Sequence, residues 1–425
     1  MNSQSTRIYV TVLCCLGTIL MVPHFTDSFL WPHDANNGIY SLAAKNHLRD
    51  GLGTTLGANV VRVAEETSSS ANVYINHPGT LSILVAFSFL VFGETEWAAR
   101  LLPACFSIPL LLSIFFATRR RWGQRAAFLS STLAAITPLF MFYGKMVNFE
   151  PLLAPLGIFY MDRISRAIHS PESTKTTSLA LSACALFAAC LIDYGGFFLF
   201  PAAIIAFGFR KEFLQSLVAL GCGLFIDIAQ IVAWSGTDGI MLLFTKGGER
   251  AGFSMPIIRW CFLQFHYLFF STVGLCISLL ALLSFLFSER KWNERTRFLI
   301  GLFVWGLGYL IAFRQAAEIH MYWQYFLFTP IAIAVGVLLS RTSNLIAAII
   351  ILFIFSQSLT IVNRDLYGDP NWYTLEYDAI RFQRDNNVAK NAFYSKSAFR
   401  TYHVEYYTDT RFIIDPALEN AFVAK

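Results

Sequence analysis

Long apolar stretches, broken by short charged segments, dominate this chain of 425 residues. A helix needs about 20 mostly apolar residues to cross the hydrocarbon core. Candidate spans fall at 8–25, 98–118, 126–143, 148–162, 177–193, 194–209, 213–234, 260–287, 298–313, 321–340 and 343–362. One further run, 80–93 (TLSILVAFSFLVFG), is only 14 residues long and is expected to lie at the membrane surface rather than cross it. The fold class expected is an all-α polytopic membrane protein with about eleven spans.

Charge bias fixes the expected topology, because short loops rich in Lys and Arg stay on the cytoplasmic side. With a cytoplasmic N-terminus and 80–93 not crossing, Arg119, Arg120, Arg121, Arg125, Arg163, Arg166, Lys175, Arg210, Lys211, Arg290, Lys291, Arg295, Arg297 and Arg341 all fall inside. Counting 80–93 as a span would put them outside. Residues 26–97 thus become a long first outer loop, and the segments Lys145–Glu150, 235–259 and Arg314–Trp323 also face outward. Residues 1–362 form the membrane domain. Residues 363–425 form a small outer α/β appendage, with helices expected at 374–386 and near 397–407 and a strand at 411–414.

Composition agrees with the pattern. The chain is 56% hydrophobic and only 14% charged, with mean hydropathy +0.53, whereas soluble domains run at about 45–50% and about 25%. The net charge of +5 comes largely from the cations between spans, and no basic run or zinc-finger spacing points to nucleic acid. The eight cysteines form no C-x-x-C pair and read as small buried apolar residues rather than ligands or a disulfide framework. The run Ile8–Phe25 lacks a small-x-small cleavage site and reads as an uncleaved first span.

Within the first outer loop, Ile39, Leu42, Ala43 and Leu48 fall roughly on one face at helical spacing, and Gly51 ends the run. An amphipathic helix at the membrane surface is expected there, with Asp34 just ahead of it. Further on, Pro78 of His77-Pro78 suits the first turn of the interfacial helix.

An ordered set of motifs runs through the chain. It comprises the acid after the first span, A-K-N-x-L-x-x-G at Ala44–Gly51, His77-Pro78 before an apolar stretch, F-G-E-x-E-W-A-A-R-L at Phe92–Leu101, Glu150-Pro151 and H-x-Y-W at His320–Trp323. In this set the chain resembles the GT-C membrane glycosyltransferases, in particular the group of protein O-mannosyltransferases and lipid A aminoarabinose transferases. The resemblance covers about residues 8–340 and implies transfer of a sugar from a polyprenyl-phosphate carrier on the outer face, with no nucleotide sugar. It further implies that an acid in the first outer loop, here Asp34, acts as base or positions the acceptor, and that Glu150 is a second acid. Many relatives carry an acidic pair about four residues before the tyrosine matching Tyr40. Here that position is Asn36-Asn37, and the nearby acid is Asp34.

Inverting transfer needs a base for the acceptor proton and stabilisation of the departing phosphate. Asp34 and Glu150 are the candidate acids, against plainer readings as a loop acid and as a partner of Lys145. Lys145 and Arg314, at outer span ends, are the favoured phosphate contacts, with Lys246, Arg250 and Arg259 as further cations. His77, Tyr40, His320 and Gln324 are candidate donor or substrate contacts. Arg100, in the W-A-A-R-L stretch, either serves the site, as its match to the family implies, or only anchors its helix end. Asp193, beside Tyr194-Gly195-Gly196, is structural or lines the cavity, and Asp227 is a mid-span acid expected to pair within the bundle, far from the outer face. No cofactor is required; a divalent metal is compatible with the acids, but no ligand cluster demands one. No P-loop, Rossmann or H-E-x-x-H motif occurs.

The expected partners are a polyprenyl-phosphate-linked sugar, the bilayer, and a lipid, glycan or protein acceptor. The expected location is the bacterial inner membrane with the site facing the periplasm, since no N-x-[ST] sequon and no K-D-E-L ending occurs. Two other classes stay open: a transporter or flippase, and a non-catalytic relative that binds the lipid carrier. Sugar and acceptor identity, oligomeric state and the role of 363–425 lie beyond the sequence.

Overall fold

The structure is a computed structural model, and it describes residues 3–29, 34–61, 72–169, 171–252, 254–269, 271–288, 293–368, 393–394, 406 and 412–413. The first helix, α1 (Ser3–Met21), leads into the long loop expected to face outward, termed the first outer loop, which folds into α2 (Asp34–Asp50), the short α3 (Leu52–Thr55), a hairpin of β1 (Val60–Val61) with β2 (Asn72–Val73), and α4 (Thr80–Phe92). The helices that follow are α5 (Glu96–Trp122), α6 (Gln124–Ala135), α7 (Glu150–His169), α8 (Glu172–Ile192), α9 (Leu199–Phe207) and α10 (Leu214–Ala251). Then come α11 (Ile257–Phe269), α12 (Thr272–Ser288), α13 (Glu294–Ala312), the short α14 (Arg314–Ala317), α15 (Tyr325–Leu339) and α16 (Asn344–Ile361).

Seven helices among the described residues are long and apolar enough to cross a membrane, and the bent pair α11–α12 would make an eighth. The remaining expected spans differ for identifiable reasons. The run 126–143 divides into α6 and a wide π turn at Leu139–Tyr143. Helix α7 carries Glu150, Asp162, Arg163 and Arg166. The run 194–209 begins as a 3-10 turn and leaves only nine residues in α9. The run 260–287 bends by 104° between α11 and α12. Ser271 starts the second helix there by accepting a hydrogen bond from Gly274 N at 3.1 Å, and a Cβ at Gly274 would sit 2.3 Å from the Phe269 side chain. Conversely, α10 runs 38 residues, to Ala251, well into the loop expected at 235–259. It turns at Gly236, whose φ of 60° suits only glycine.

Helix α15 is the centre of the bundle: its segment Met321–Leu339 is 94% buried, and α6, α12, α13 and α7 pack around it. Helix α4 has 13 residues, about 20 Å of length, too short for a core about 30 Å thick. It packs between α2 and α5 and leaves Phe87, Leu90 and Val91 exposed to a bilayer surface. Seven of the eight free cysteines are likewise not buried; only Cys190 is. They lie on surfaces that lipid covers, so their apolar setting is the membrane rather than a core.

Ion pairs gather the basic span ends at one end of the bundle. Arg121 at the end of α5 meets Asp162 of α7 at 2.7 Å, and Arg120 meets Glu294 at the start of α13 at 2.5 Å. The first outer loop lies at the opposite end. Its A-K-N-x-L-x-x-G motif explains itself there. Asn46 donates to Val60 O at 2.7 Å, His47 bonds Thr55 and Ser82, and Gly51 leaves the helix at φ 81°. Lys45 donates to Tyr406 O at 2.9 Å and lies 4.0 Å over the Tyr406 ring, which docks one residue of the C-terminal region on this loop. Of the elements expected in that region, 374–386 lies outside the described residues. Of 397–407 only Tyr406 is described, and of 411–414 only β4 (Phe412–Ile413), which pairs parallel with β3 (Phe393–Tyr394).

Candidate functional site

Four segments converge at the end of the bundle that carries the first outer loop. The first is α2, which Asp34 begins; the Asp34 side chain lies outside the described residues. Two and three residues on, Asn36 Nδ2 donates to the Tyr322 hydroxyl at 2.7 Å, and Asn37 Oδ1 accepts from Val147 N at 2.6 Å. The asparagine pair therefore stitches α2 to two other segments of the site, the 143–150 turn and the His320–Trp323 motif. The Tyr322 hydroxyl also bonds His320 Nδ1 at 2.7 Å, so Asn36, Tyr322 and His320 form one chain. Tyr40 is 2% exposed on the same helix and meets Tyr74 edge-on at 6.3 Å. Burial holds its hydroxyl well above the ordinary range, with Tyr74, Asp193 and Glu150 adding to the effect, so it stays protonated.

The second segment is the turn before α4. His77 Nδ1 lies 2.5 Å from Asp193 Oδ1, and Asp193 Oδ2 accepts from Gly195 N at 2.6 Å. Asp193 is fully buried at the junction of α8 and the 3-10 turn. Desolvation lowers the His77 pKa, Asp193 opposes the shift, and the positive charge of Arg250 adds to it. A neutral His77 then donates its Nδ1 proton to the Asp193 carboxylate. That leaves Nε2 as an acceptor, and Nε2 makes no hydrogen bond among the described residues. Behind the ring, Asn59 Nδ2 donates to His77 O at 2.9 Å and to Pro78 O at 3.2 Å, while Ser82 donates to Asn59 Oδ1 at 2.7 Å. This buried network fixes the turn.

The third segment is the start of α7. The His77 ring lies 4.4 Å from that of Phe149, which precedes Glu150. Glu150 is 1% exposed, and neither carboxylate oxygen has a hydrogen-bond partner among the described residues. Tyr40, Tyr309, Tyr322 and Asp193 lie within its electrostatic reach. The fourth segment is the outer end of α10, where Arg250 hydrogen-bonds Tyr74 and acts on Tyr309, Tyr322 and His77. It is the cation that stands among the tyrosines.

The sequence-predicted residues thus divide. His77, Tyr40, Glu150 and His320 come together, joined by Asn36, Tyr322 and Asp193. Lys145 does not pair with Glu150; it is 3% exposed and donates to the carbonyls of Met21 and Pro23 at the end of α1. Arg314 Nε donates to Gly252 O at 3.0 Å and braces the end of α10. Gln324 is fully buried and donates to Gln264, leaving its Oε1 without a partner. Arg100 binds the carbonyls of Phe25 and Asp27, an anchor, the second of its two expected roles.

Asp227 is a correction. Gln230, one turn on, accepts from Gly79 N at 3.2 Å and donates to Leu56 O at 3.3 Å, and Asp227 itself lines a small cleft with Asn59, Tyr74, His77 and Tyr194. The acid therefore lies against the outer loop and not far from it, because loop residues Thr55, Leu56 and Gly79 reach α10 at Gln230 and Trp234, within two turns of Asp227. Among the described residues no cluster of three or more His, Cys, Asp or Glu could hold a metal ion.

A family described as dolichyl-phosphate-mannose-protein mannosyltransferases matches residues 76–234. No curated protein matches the chain. Among solved structures, ArnT from Cupriavidus metallidurans bound to undecaprenyl phosphate superposes with a TM-score of 0.61 at 12% identity, over 100% of this chain and 88% of that one. Its apo state gives 0.62 at 12% identity, over 97% and 86%. The Archaeoglobus fulgidus oligosaccharyltransferase tethered to an acceptor peptide containing the NVT sequon gives 0.60 at 14% identity, over 98% of this chain and 64% of that one. At such identities the likeness is one of fold. Fold and family match together point to the GT-C superfamily of membrane glycosyltransferases.

Proposed function

We propose that this protein is an inverting glycosyltransferase that moves a sugar from a polyprenyl-phosphate carrier to a lipid, glycan or protein acceptor on the outer face of a bacterial inner membrane. The observation that carries the reading is Glu150: a carboxylate 1% exposed, without a hydrogen-bond partner among the described residues, at the meeting point of the four segments. An acid in such a place is costly unless a ligand completes it. A family named for dolichyl-phosphate-mannose and a neighbour bound to undecaprenyl phosphate favour a lipid-phosphate donor.

In this reading Asp34, opening α2 ahead of Asn36 and Asn37, takes the acceptor proton, and Glu150 orients the sugar or acceptor hydroxyls. Nε2 of His77, set by Asp193, accepts a further hydroxyl. The departing phosphate needs cations as its charge grows. Arg250 supplies the guanidinium nearest the tyrosines, and Lys145 and Arg314 shape the same mouth while holding carbonyls. His320, Tyr322 and Gln324 wall the sugar side. Residues 1–362 carry the chemistry, and Tyr406 of the C-terminal region docks on Lys45 of the first outer loop.

Sugar transfer from purified polyprenyl-phosphate sugars to endogenous acceptors in isolated membranes tests the proposal, with wild type set against Asp34→Asn. Transfer that disappears in the folded, inserted variant supports it. Equal transfer in both removes Asp34 as the base and moves that role to Glu150.

A further inference from the structure

The other end of the bundle holds a cavity that the reaction does not use. It lies between α5 and α7, with a volume of about 480 Å³, in the range of about 300–1,000 Å³ typical of ligand sites. Its wall is apolar along one length, from Pro109, Leu112 and Phe116 on α5 to Ile158 and Phe159 on α7. Pro109 and Phe116 are seven residues apart, about 10 Å along a helix. Its far end is charged, with Asp162, Arg163 and Arg166.

The charges at that end do not balance. Asp162 and Glu294 are shared by Arg120, Arg121 and Arg166, at 2.5–3.3 Å. Among the described residues, Arg163 makes no ion pair within 4 Å, its Nε has no hydrogen-bond partner, and its guanidinium lies 4.6 Å over the Phe159 ring. Among the described residues two carboxylates, Asp162 and Glu294, thus face four guanidiniums, at the depth where the apolar wall ends. An apolar groove capped by unneutralised cations beside a bilayer has the chemistry of a site for an anionic lipid, and arginine suits bidentate contact with phosphate.

We propose that this cavity binds an anionic phospholipid of the leaflet opposite the candidate catalytic site. One acyl chain lies along Pro109–Phe116, and the phosphate is held by Arg163. The assignment is independent of which sugar or acceptor the enzyme uses, and it gives the bundle a lipid-dependent clamp between α5 and α7.

Native mass spectrometry of the full-length protein, released from micelles containing phosphatidylglycerol or phosphatidylcholine of equal chain length, tests it. Wild type should retain phosphatidylglycerol roughly tenfold better, the worth of one charge-assisted contact of about 1.5 kcal/mol. Arg163→Ala should lose that preference, and Lys211→Ala, an exposed cation elsewhere on the same side, should keep it. Ser113→Phe, which fills the apolar length, should lower retention of both lipids and keeps the test open if Arg163→Ala does not fold. Equal retention of the two lipids by wild type, or an unchanged preference in Arg163→Ala, would overturn the proposal. So would displacement of the lipid by glycerol phosphate at matched concentration, which would put recognition on a free phosphate alone.

Discussion

The buried pair His77–Asp193 makes a demand that can be measured apart from activity. Asp193 uses both carboxylate oxygens, one on His77 Nδ1 at 2.5 Å and one on Gly195 N at 2.6 Å, with no exposed surface. A hydrogen bond to a charged group contributes about 1.5–3 kcal/mol, and leaving a buried donor unpaired costs about 1–3 kcal/mol. Asp193→Ala orphans two donors at once and should cost about 3–5 kcal/mol. Asp193→Asn keeps the shape but offers one acceptor oxygen, so it should lose about half of that. The cycle of His77→Ala, Asp193→Ala and the double variant isolates the bond itself, with an expected coupling of about 2 kcal/mol. Denaturant unfolding in mixed micelles reads these differences, and transfer assays on the same samples read the site. A coupling below about 0.5 kcal/mol would refute the view that Asp193 sets the His77 ring.

Glu150→Gln should lower transfer by about 10²–10⁴ while leaving thermal stability unchanged or higher, because the carboxylate it removes has no partner among the described residues; a matching loss of stability would make Glu150 structural. Arg250→Ala should raise KM for the lipid-linked donor by about tenfold or more, with partial recovery in Arg250→Lys, whereas Arg314→Ala and Lys145→Ala should act first on stability through the carbonyls they hold. Burial pushes the His47 pKa down to about 4. A histidine depressed in the native state binds fewer protons than the unfolded chain, so stability is intact above pH of about 6.5 and falls as pH drops towards about 4. The total is about 3 kcal/mol. The difference in melting temperature between pH 7 and pH 4.5 should therefore shrink in His47→Gln, and an identical pH response in both proteins would contradict the assignment.

Much of this site was legible in the sequence because membrane physics restricts where polar residues can stand. The 80–93 run is too short to cross, and charge bias then set the expected sides of 26–97 and the basic loops apart. Those sides then gathered His77, Glu150 and His320 together. The helix over 34–50 and its end at Gly51 followed from periodicity and a glycine. What stayed hidden lies in long-range partnership. Asp193 is 116 residues from His77 in the chain, and nothing local to Tyr194-Gly195-Gly196 announces the histidine. Arg250 was one cation among several because 235–259, with glycines at 236, 239, 247 and 248, reads as a loop. Tertiary packing against α14 overrides that propensity and carries the helix to Ala251. Asp227 sits against the outer loop because Thr55, Leu56 and Gly79 bond Gln230 and Trp234 nearby, contacts that no local pattern announces. Lys145 and Arg314 stand at outer span ends, as their positions implied, but carbonyls of Pro23 and Gly252 claim them, and carbonyl demand leaves no trace in sequence.

The most direct test uses sealed proteoliposomes with a defined polyprenyl-phosphate sugar and a water-soluble acceptor mimic. Free polyprenyl phosphate and sugar-bearing acceptor are quantified together for wild type, Asp34→Asn and Glu150→Gln. The account predicts that wild type releases one carrier phosphate for each sugar transferred, and that both variants do neither. Movement of the intact lipid-linked sugar across the bilayer, with no release of polyprenyl phosphate, would contradict it and mark the protein as a flippase.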